Sequence, residues 1–93
     1  MIYCLVQMNI SNPEALGKYR EKAAEALAKH GGAVAGAVPK PERLEGSLAV
    51  PDMAGVLSFP DREAAMAWFN DPELAELHDL RRSTGESTLL LIA

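Results

Sequence analysis

The first ten residues sort into two sides of a strand. Ile2, Cys4, Val6, Met8 and Ile10 fall on one side; Tyr3, Leu5, Gln7 and Asn9 fall on the other. A period of two predicts a strand over residues 2–10. Its second side is half apolar, so both sides ask for at least partial cover. Asn12-Pro13-Glu14 then has the chemistry of a helix start: a capping side chain, a proline that needs no N–H, and an acid at the positive end of the dipole. The spacing predicts a helix from residue 13 to about residue 30, ended by Gly31-Gly32. Leu16, Tyr19, Ala23, Ala26, Leu27 and His30 form its apolar stripe, with Arg20 on the edge. Glu14, Lys18, Glu21, Lys22, Glu25 and Lys29 cover the solvent side, and two Glu–Lys pairs have the favourable i, i+4 spacing.

Residues 33–38 are small and β-branched and predict a second, closely packed strand. Pro39-Lys40-Pro41 interrupts it, as on an edge strand or at a bulge. Arg43-Leu44-Glu45 reads as extended up to Gly46. A turn around Pro51-Asp52 leads into a third strand over residues 53–59, which Pro60 ends. Asp61 caps a second helix carrying Ala64, Ala65, Met66, Trp68 and Phe69. Asn70-Asp71-Pro72-Glu73 breaks and restarts it, because proline disfavours helix at the preceding residue. The continuation places Leu74, Leu77, His78 and Arg81 on one face. Residues 83–87 read as loop and 88–93 as a last strand. Its run Leu89-Leu90-Leu91-Ile92 has no polar side and reads as buried on both.

The order β-α-β-β-α-β is that of an α+β, ferredoxin-like domain. It implies a four-stranded antiparallel sheet with both helices on one face. The other face carries Tyr3, Leu5 and the leucine-rich last strand, which do not suit water. A second subunit on that face is the simplest cover, giving a homodimer.

Composition narrows the function classes. The 93 residues, 48% hydrophobic and 24% charged, form one domain and have enough apolar content to exclude disorder. Charges, prolines and glycines interrupt each apolar run short of ~18 residues, so no membrane-spanning helix is expected. A net charge of −4 provides no basic face for nucleic acid or an anionic membrane surface. Cys4 is the single cysteine, too few for an internal disulfide or a zinc cluster, which suits a reducing compartment. The first residues show no leader pattern, so the cytoplasm is the expected location. No cofactor or metal is expected.

The local motifs of phosphate loops, dinucleotide folds, zinc hydrolases and serine esterases are missing. What remains is a polar set on apolar helix faces. His30 suits a general acid or base in a helix–sheet pocket, and equally a helix C-terminus packed under a glycine turn. His78 and Arg81, three residues apart, suit joint binding of an anionic substrate, with arginine as a bidentate clamp. They also suit a last turn where the dipole favours cations. Arg82 reads as facing solvent. Tyr19 and Trp68 suit either a pocket wall or the core. Glu45 suits a carboxylate base at the sheet edge, or a salt bridge to Arg43, Arg20 or Arg81. Cys4 alternates with core positions and reads as a small hydrophobe.

The chain resembles the DUF1330 family of small bacterial α/β proteins of unassigned function. The resemblance spans nearly the whole chain. It rests on Asn12-Pro13-Glu14 with Tyr19, His30-Gly31-Gly32, Leu44-Glu45-Gly46, Phe59-Pro60, residues 65–69, Asp71-Pro72-Glu73 and Arg81. It implies a dimeric α/β barrel in which two four-stranded sheets face each other with helices outside. Ala37-Val38-Pro39 stands where the family pattern has an arginine and a glycine pair. Ser47-Leu48 and Leu74 stand where aromatics are common. A family site that used that arginine is altered or lost here. Analogy to other dimeric α/β-barrel proteins, among them small monooxygenases and isomerases, suggests a cofactor-free enzyme acting on a small organic acid or polyketide-like compound. In that reading His30 or His78 moves a proton, and Arg81 binds the anion with Glu45 as partner. The alternative is a non-catalytic small-molecule-binding or structural homodimer. Convergence of the candidates on one cavity separates the two.

Overall fold

The computed structural model describes residues 1–92. Strand β1 (Ile2–Ile10) leads into helix α1 (Pro13–Ala28), then strands β2 (Ala33–Pro39) and β3 (Met53–Phe59). Helix α2 (Arg62–Asn70), a 3₁₀ turn (Pro72–Leu74) and helix α3 (Ala75–Ser83) precede strand β4 (Gly85–Ile92). The sheet order is β2-β3-β1-β4, antiparallel throughout. Cys4 stands opposite Leu57 on one neighbour and Leu91 on the other.

The even-numbered side of β1 makes the core. Cys4, Val6 and Met8 pack with Leu57 and Phe59 from β3, Leu16 and Leu27 from α1, and Ala65 and Trp68 from α2. The helices therefore share one face of the sheet, and the chain is only 16 Å deep along its short axis. Phe59 and Trp68, 5.5 Å apart between ring centroids, are the largest anchors. Truncating either to alanine should cost about 3–5 kcal/mol.

Local chemistry sets the element ends. The Asn12 carboxamide accepts from Ala15 N–H at 3.2 Å, and the Asp61 carboxylate from Ala64 N–H at 2.8 Å. Helix α1 stops at Ala28, two residues short of the expected end. The N–H groups of His30 and Gly32 both turn back onto the Leu27 carbonyl, and Gly31 takes a left-handed φ of 73° that favours glycine.

Three expectations need correction. Residues 43–46 are not extended along the sheet. Lys40, at φ 51°, turns the chain off β2 and donates its N–H to the Asp52 carbonyl at 2.7 Å. The hairpin closes there, and residues 41–51 form a loop beside Gln7 and Ala54 on the sheet face away from the helices. Residues 83–87 are not a loop. Only Thr84 separates α3 from β4, and it is fully buried. Its hydroxyl donates to the Arg81 carbonyl at 2.7 Å, and its own carbonyl accepts from the N–H groups of Ser11 and Asn12. Gly85 then runs so close to β1 that a Cβ would lie 2.0 Å from the Asn9 carbonyl oxygen, so no side chain fits. Finally, β4 is not covered on both sides by its own chain. Leu89 and Leu91 are half-buried against the core, while Leu90 and Ile92 are 50% and 57% exposed on the open face. Residue 93, expected in this strand, lies outside the described residues.

Strand β2 is exposed along its whole length, so α1 does not roof over this edge of the sheet. That gap gives access to the space beneath the helices.

Candidate functional site

Proline 72 starts the construction. In a continuing helix the Trp68 carbonyl would accept from the N–H of residue 72, but proline has none. The N–H of Asp71 approaches only to 3.4 Å. His78 completes the pairing: its Nε2 lies 3.0 Å from the Trp68 carbonyl oxygen. One turn later on α3, Arg81 Nη1 lies 2.5 Å from His78 Nδ1. A guanidinium only donates, so Nδ1 is the acceptor and the ring proton sits on Nε2. Both ring nitrogens of this neutral imidazole are engaged.

Arg81 is 3% exposed, as are His78 and Trp68. Its guanidinium carbon lies 5.9 Å from the Trp68 ring centroid, and it interacts with the Tyr19 hydroxyl contributed by α1. Among the described residues no carboxylate comes within ion-pair distance of it. Its Nε is buried with no hydrogen-bond partner, and so is Trp68 Nε1. Buried charges are ordinarily paired. This one is held by a neutral ring, an aromatic face and a phenol, none of which cancels it.

Tyr19, Trp68 and Arg81 line a cavity of about 200 Å3 between the helices and the sheet. Its inner walls are apolar, from Val6, Met8, Leu27 and Leu57. The exposed lining residues are Arg20 on α1 and Val34 and Ala37 on β2, so the mouth opens along the uncovered β2 edge. Burial pushes the Tyr19 phenol above its ordinary pKa although Arg81 pulls it down. Burial likewise lowers the pKa of Arg81, opposed by Tyr19. His78 is lowered by burial first, with the charges of Arg81 and Arg82 adding to the effect and the Trp68 carbonyl opposing it.

The structure brings Tyr19, Trp68, His78 and Arg81 together. It places His30 and Glu45 elsewhere. His30, just beyond α1, has Nε2 2.8 Å from an Asp71 carboxylate oxygen, which Lys29 Nζ also reaches at 2.8 Å. This cluster fastens the end of α1 to the break between α2 and the 3₁₀ turn. Glu45 is exposed on the 41–51 loop, in a surface cleft with Gln7 and Arg43 on the opposite side of the sheet. Arg20 was legible only as a stripe-edge residue. Its one further signal is that residues 16, 17, 23 and 24, its helical neighbours, include no acid. Among the described residues no cluster of three or more histidine, cysteine or carboxylate side chains suits a metal ion, and no helix is long and apolar enough to cross a membrane.

The same architecture occurs in a crystal structure of RPA0582, a protein of unknown function from Rhodopseudomonas palustris. The match has a TM-score of 0.75 at 19% identity and covers 98% of this chain and 79% of the other. A structure of methylated RPA0582 matches equally, with a TM-score of 0.76, 19% identity and coverage of 98% and 78%. At such identity the likeness speaks for the fold alone. No curated protein matches the chain. Its sequence over residues 1–93 fits the family described as a domain of unknown function, DUF1330, and the chain belongs to that family.

Proposed function

We propose that this protein binds a small organic acid, with the carboxylate on Arg81 and the apolar body in the cavity behind Tyr19. The observation that carries this reading is the buried guanidinium in the lining of an apolar cavity, with no carboxylate partner among the described residues. A carboxylate held in the cavity beside it would compensate that charge. His78 serves by orienting Arg81 and has no nitrogen left for a ligand. His30, held by Asp71, touches no ligand in this cavity.

The protein acts as a homodimer in this proposal. Tyr3, Leu90 and Ile92 are exposed large apolar residues on the open sheet face, with Leu5 and Val56 half-buried between them. An apolar sheet face of this kind is covered most simply by its own copy, in an isologous contact.

Trp68 is the only tryptophan, so its emission reports on the cavity directly. Hexanoate should bind saturably, with hexanol about ten-fold weaker. Arg81→Met should remove the difference between acid and alcohol. Because Arg81 is buried, Tyr19→Phe is the milder second variant, expected to weaken hexanoate several-fold. Equal binding of acid and alcohol by the unmodified protein would overturn the reading.

A further inference from the structure

A second arginine faces the same cavity. Arg20 lines its mouth, and Nη2 of its guanidinium lies 3.1 Å from the thioether sulfur of Met53. A thioether is a weak acceptor on a flexible side chain, a poor permanent partner for a cation. Among the described residues no carboxylate pairs with Arg20. One turn away in either direction the helix offers it Leu16, Gly17, Ala23 and Ala24. The cavity thus has two cations in its lining without a carboxylate partner among the described residues, Arg81 buried and Arg20 exposed, and its other walls are mainly apolar.

We infer that the cavity is built for a dicarboxylic acid, its inner carboxylate on Arg81 and its outer carboxylate on Arg20 in place of the Met53 sulfur. This rests on the acid-binding reading above and adds the second charge. Volume limits the length. A closed apolar cavity of about 150 Å3 takes a benzene ring, so one of about 200 Å3 takes roughly eight non-hydrogen atoms. One carboxylate and a chain of about five carbons fill it, leaving the second carboxylate outside at the mouth. A linear seven-carbon dicarboxylate has that shape. A monoacid of the same length would put its apolar end beside the Arg20 guanidinium and leave the outer charge unused.

Pimelate and heptanoate are the matched probes, titrated at neutral pH against Trp68 emission. Pimelate should bind roughly five-fold more tightly than heptanoate at low salt. Arg20→Gln should remove that advantage and leave heptanoate within about two-fold, while the variant melts as the parent does. Raising ionic strength from about 0.01 M to 0.15 M should narrow the gap, because the outer pair is exposed and the inner one is not. Heptanoate matching pimelate in the parent protein, or Arg20→Gln weakening both acids alike, would overturn the dicarboxylate inference and leave Arg81 binding intact. Failure of both acids to bind the parent would overturn both.

Discussion

His78 and Arg81 are joined by a contact that exists only while the imidazole is neutral. Nη1 of the guanidinium lies 2.5 Å from Nδ1 of the ring, and the opposite ring nitrogen points to the Trp68 carbonyl. Protonating Nδ1 would turn the acceptor into a donor facing a cation. The seating of Arg81 and the packing of α3 against α2 are thereby tied to one titration.

The tie makes stability depend on pH. Burial, aided by Arg81 and Arg82, holds the folded pKa of His78 below its ordinary value of 6.5. Between those two values the unfolded chain binds more protons than the folded one, so stability rises with pH through this window. The melting temperature should fall as pH drops from about 7 toward 5, and His78→Gln, which cannot be protonated, should flatten that slope. Identical slopes in parent and variant would remove His78 from the account. At pH 7.5 the variant His78→Leu should lose about 2–4 kcal/mol, since it leaves a buried guanidinium N–H without its acceptor and the Trp68 carbonyl with only the 3.4 Å contact from the Asp71 N–H.

Asp71 should dominate a second, lower window. Lys29 first, then His30 and the Glu73 N–H, hold its carboxyl well below the ordinary value of 3.8. A depressed pKa contributes stability that is complete above the unfolded value and is lost as pH falls through the folded one. Asp71→Asn isolates the charge, because an asparagine oxygen can still accept from Glu73 N–H, now 2.9 Å from the carboxylate. The variant should melt lower than the parent at neutral pH. The gap should persist down to about pH 4 and close only in stronger acid. Equal melting at neutral pH would show that the cluster contributes nothing.

Much of the fold was legible because it depends on short-range rules. The caps at Asn12 and Asp61, the break before Pro72 and the strand Met53–Phe59 all follow from neighbouring residues. Thr84 was not legible. Ser83-Thr84-Gly85-Glu86-Ser87 is polar and reads as loop, but the Thr84 carbonyl takes two N–H groups from the end of β1, which no local pattern reveals. The extended reading of residues 43–46 failed for a related reason: the left-handed turn at Lys40 sends the chain off the sheet before residue 43. The site divides in the same way. Periodicity placed Tyr19, His78 and Arg81 on apolar faces, but their meeting depends on how α1 and α3 pack. The Trp68–His78 contact was half-written, since Pro72 denies the Trp68 carbonyl its regular helical donor without saying which other donor will find it.

The open sheet face supplies a separate expectation. Leu90 faces away from the helices, opposite Leu5 on β1, and is half exposed in a single chain. The parent should run as a dimer in light scattering at micromolar concentration. Leu90→Glu should yield a folded monomer, because the substitution buries nothing in the monomer and places an unpaired charge in the dimer contact. A parent of one chain's mass would overturn the dimer and leave the cavity untouched, since the cavity lies on the other side of the sheet.

Ala23 gives the sharpest distinction between a binding site and a packing defect. It lines the cavity from α1, between Tyr19 and Leu27, and is half-buried. Leucine at this position has comparable helix propensity and would push its side chain into that space. Filling an apolar void ordinarily stabilises a fold by about 0.5–2 kcal/mol, and Ala23→Leu should raise the melting temperature accordingly. The same leucine should abolish hexanoate binding, because it occupies the volume of the ligand's apolar body. Leu57→Ala is the converse. It should cost about 2–5 kcal/mol, and the enlarged cavity should admit a longer acid than the parent does. Opposite signs for stability and binding in both variants are what a functional cavity requires. A leucine at residue 23 that stabilised the protein without affecting hexanoate would place the acid somewhere other than against Arg81.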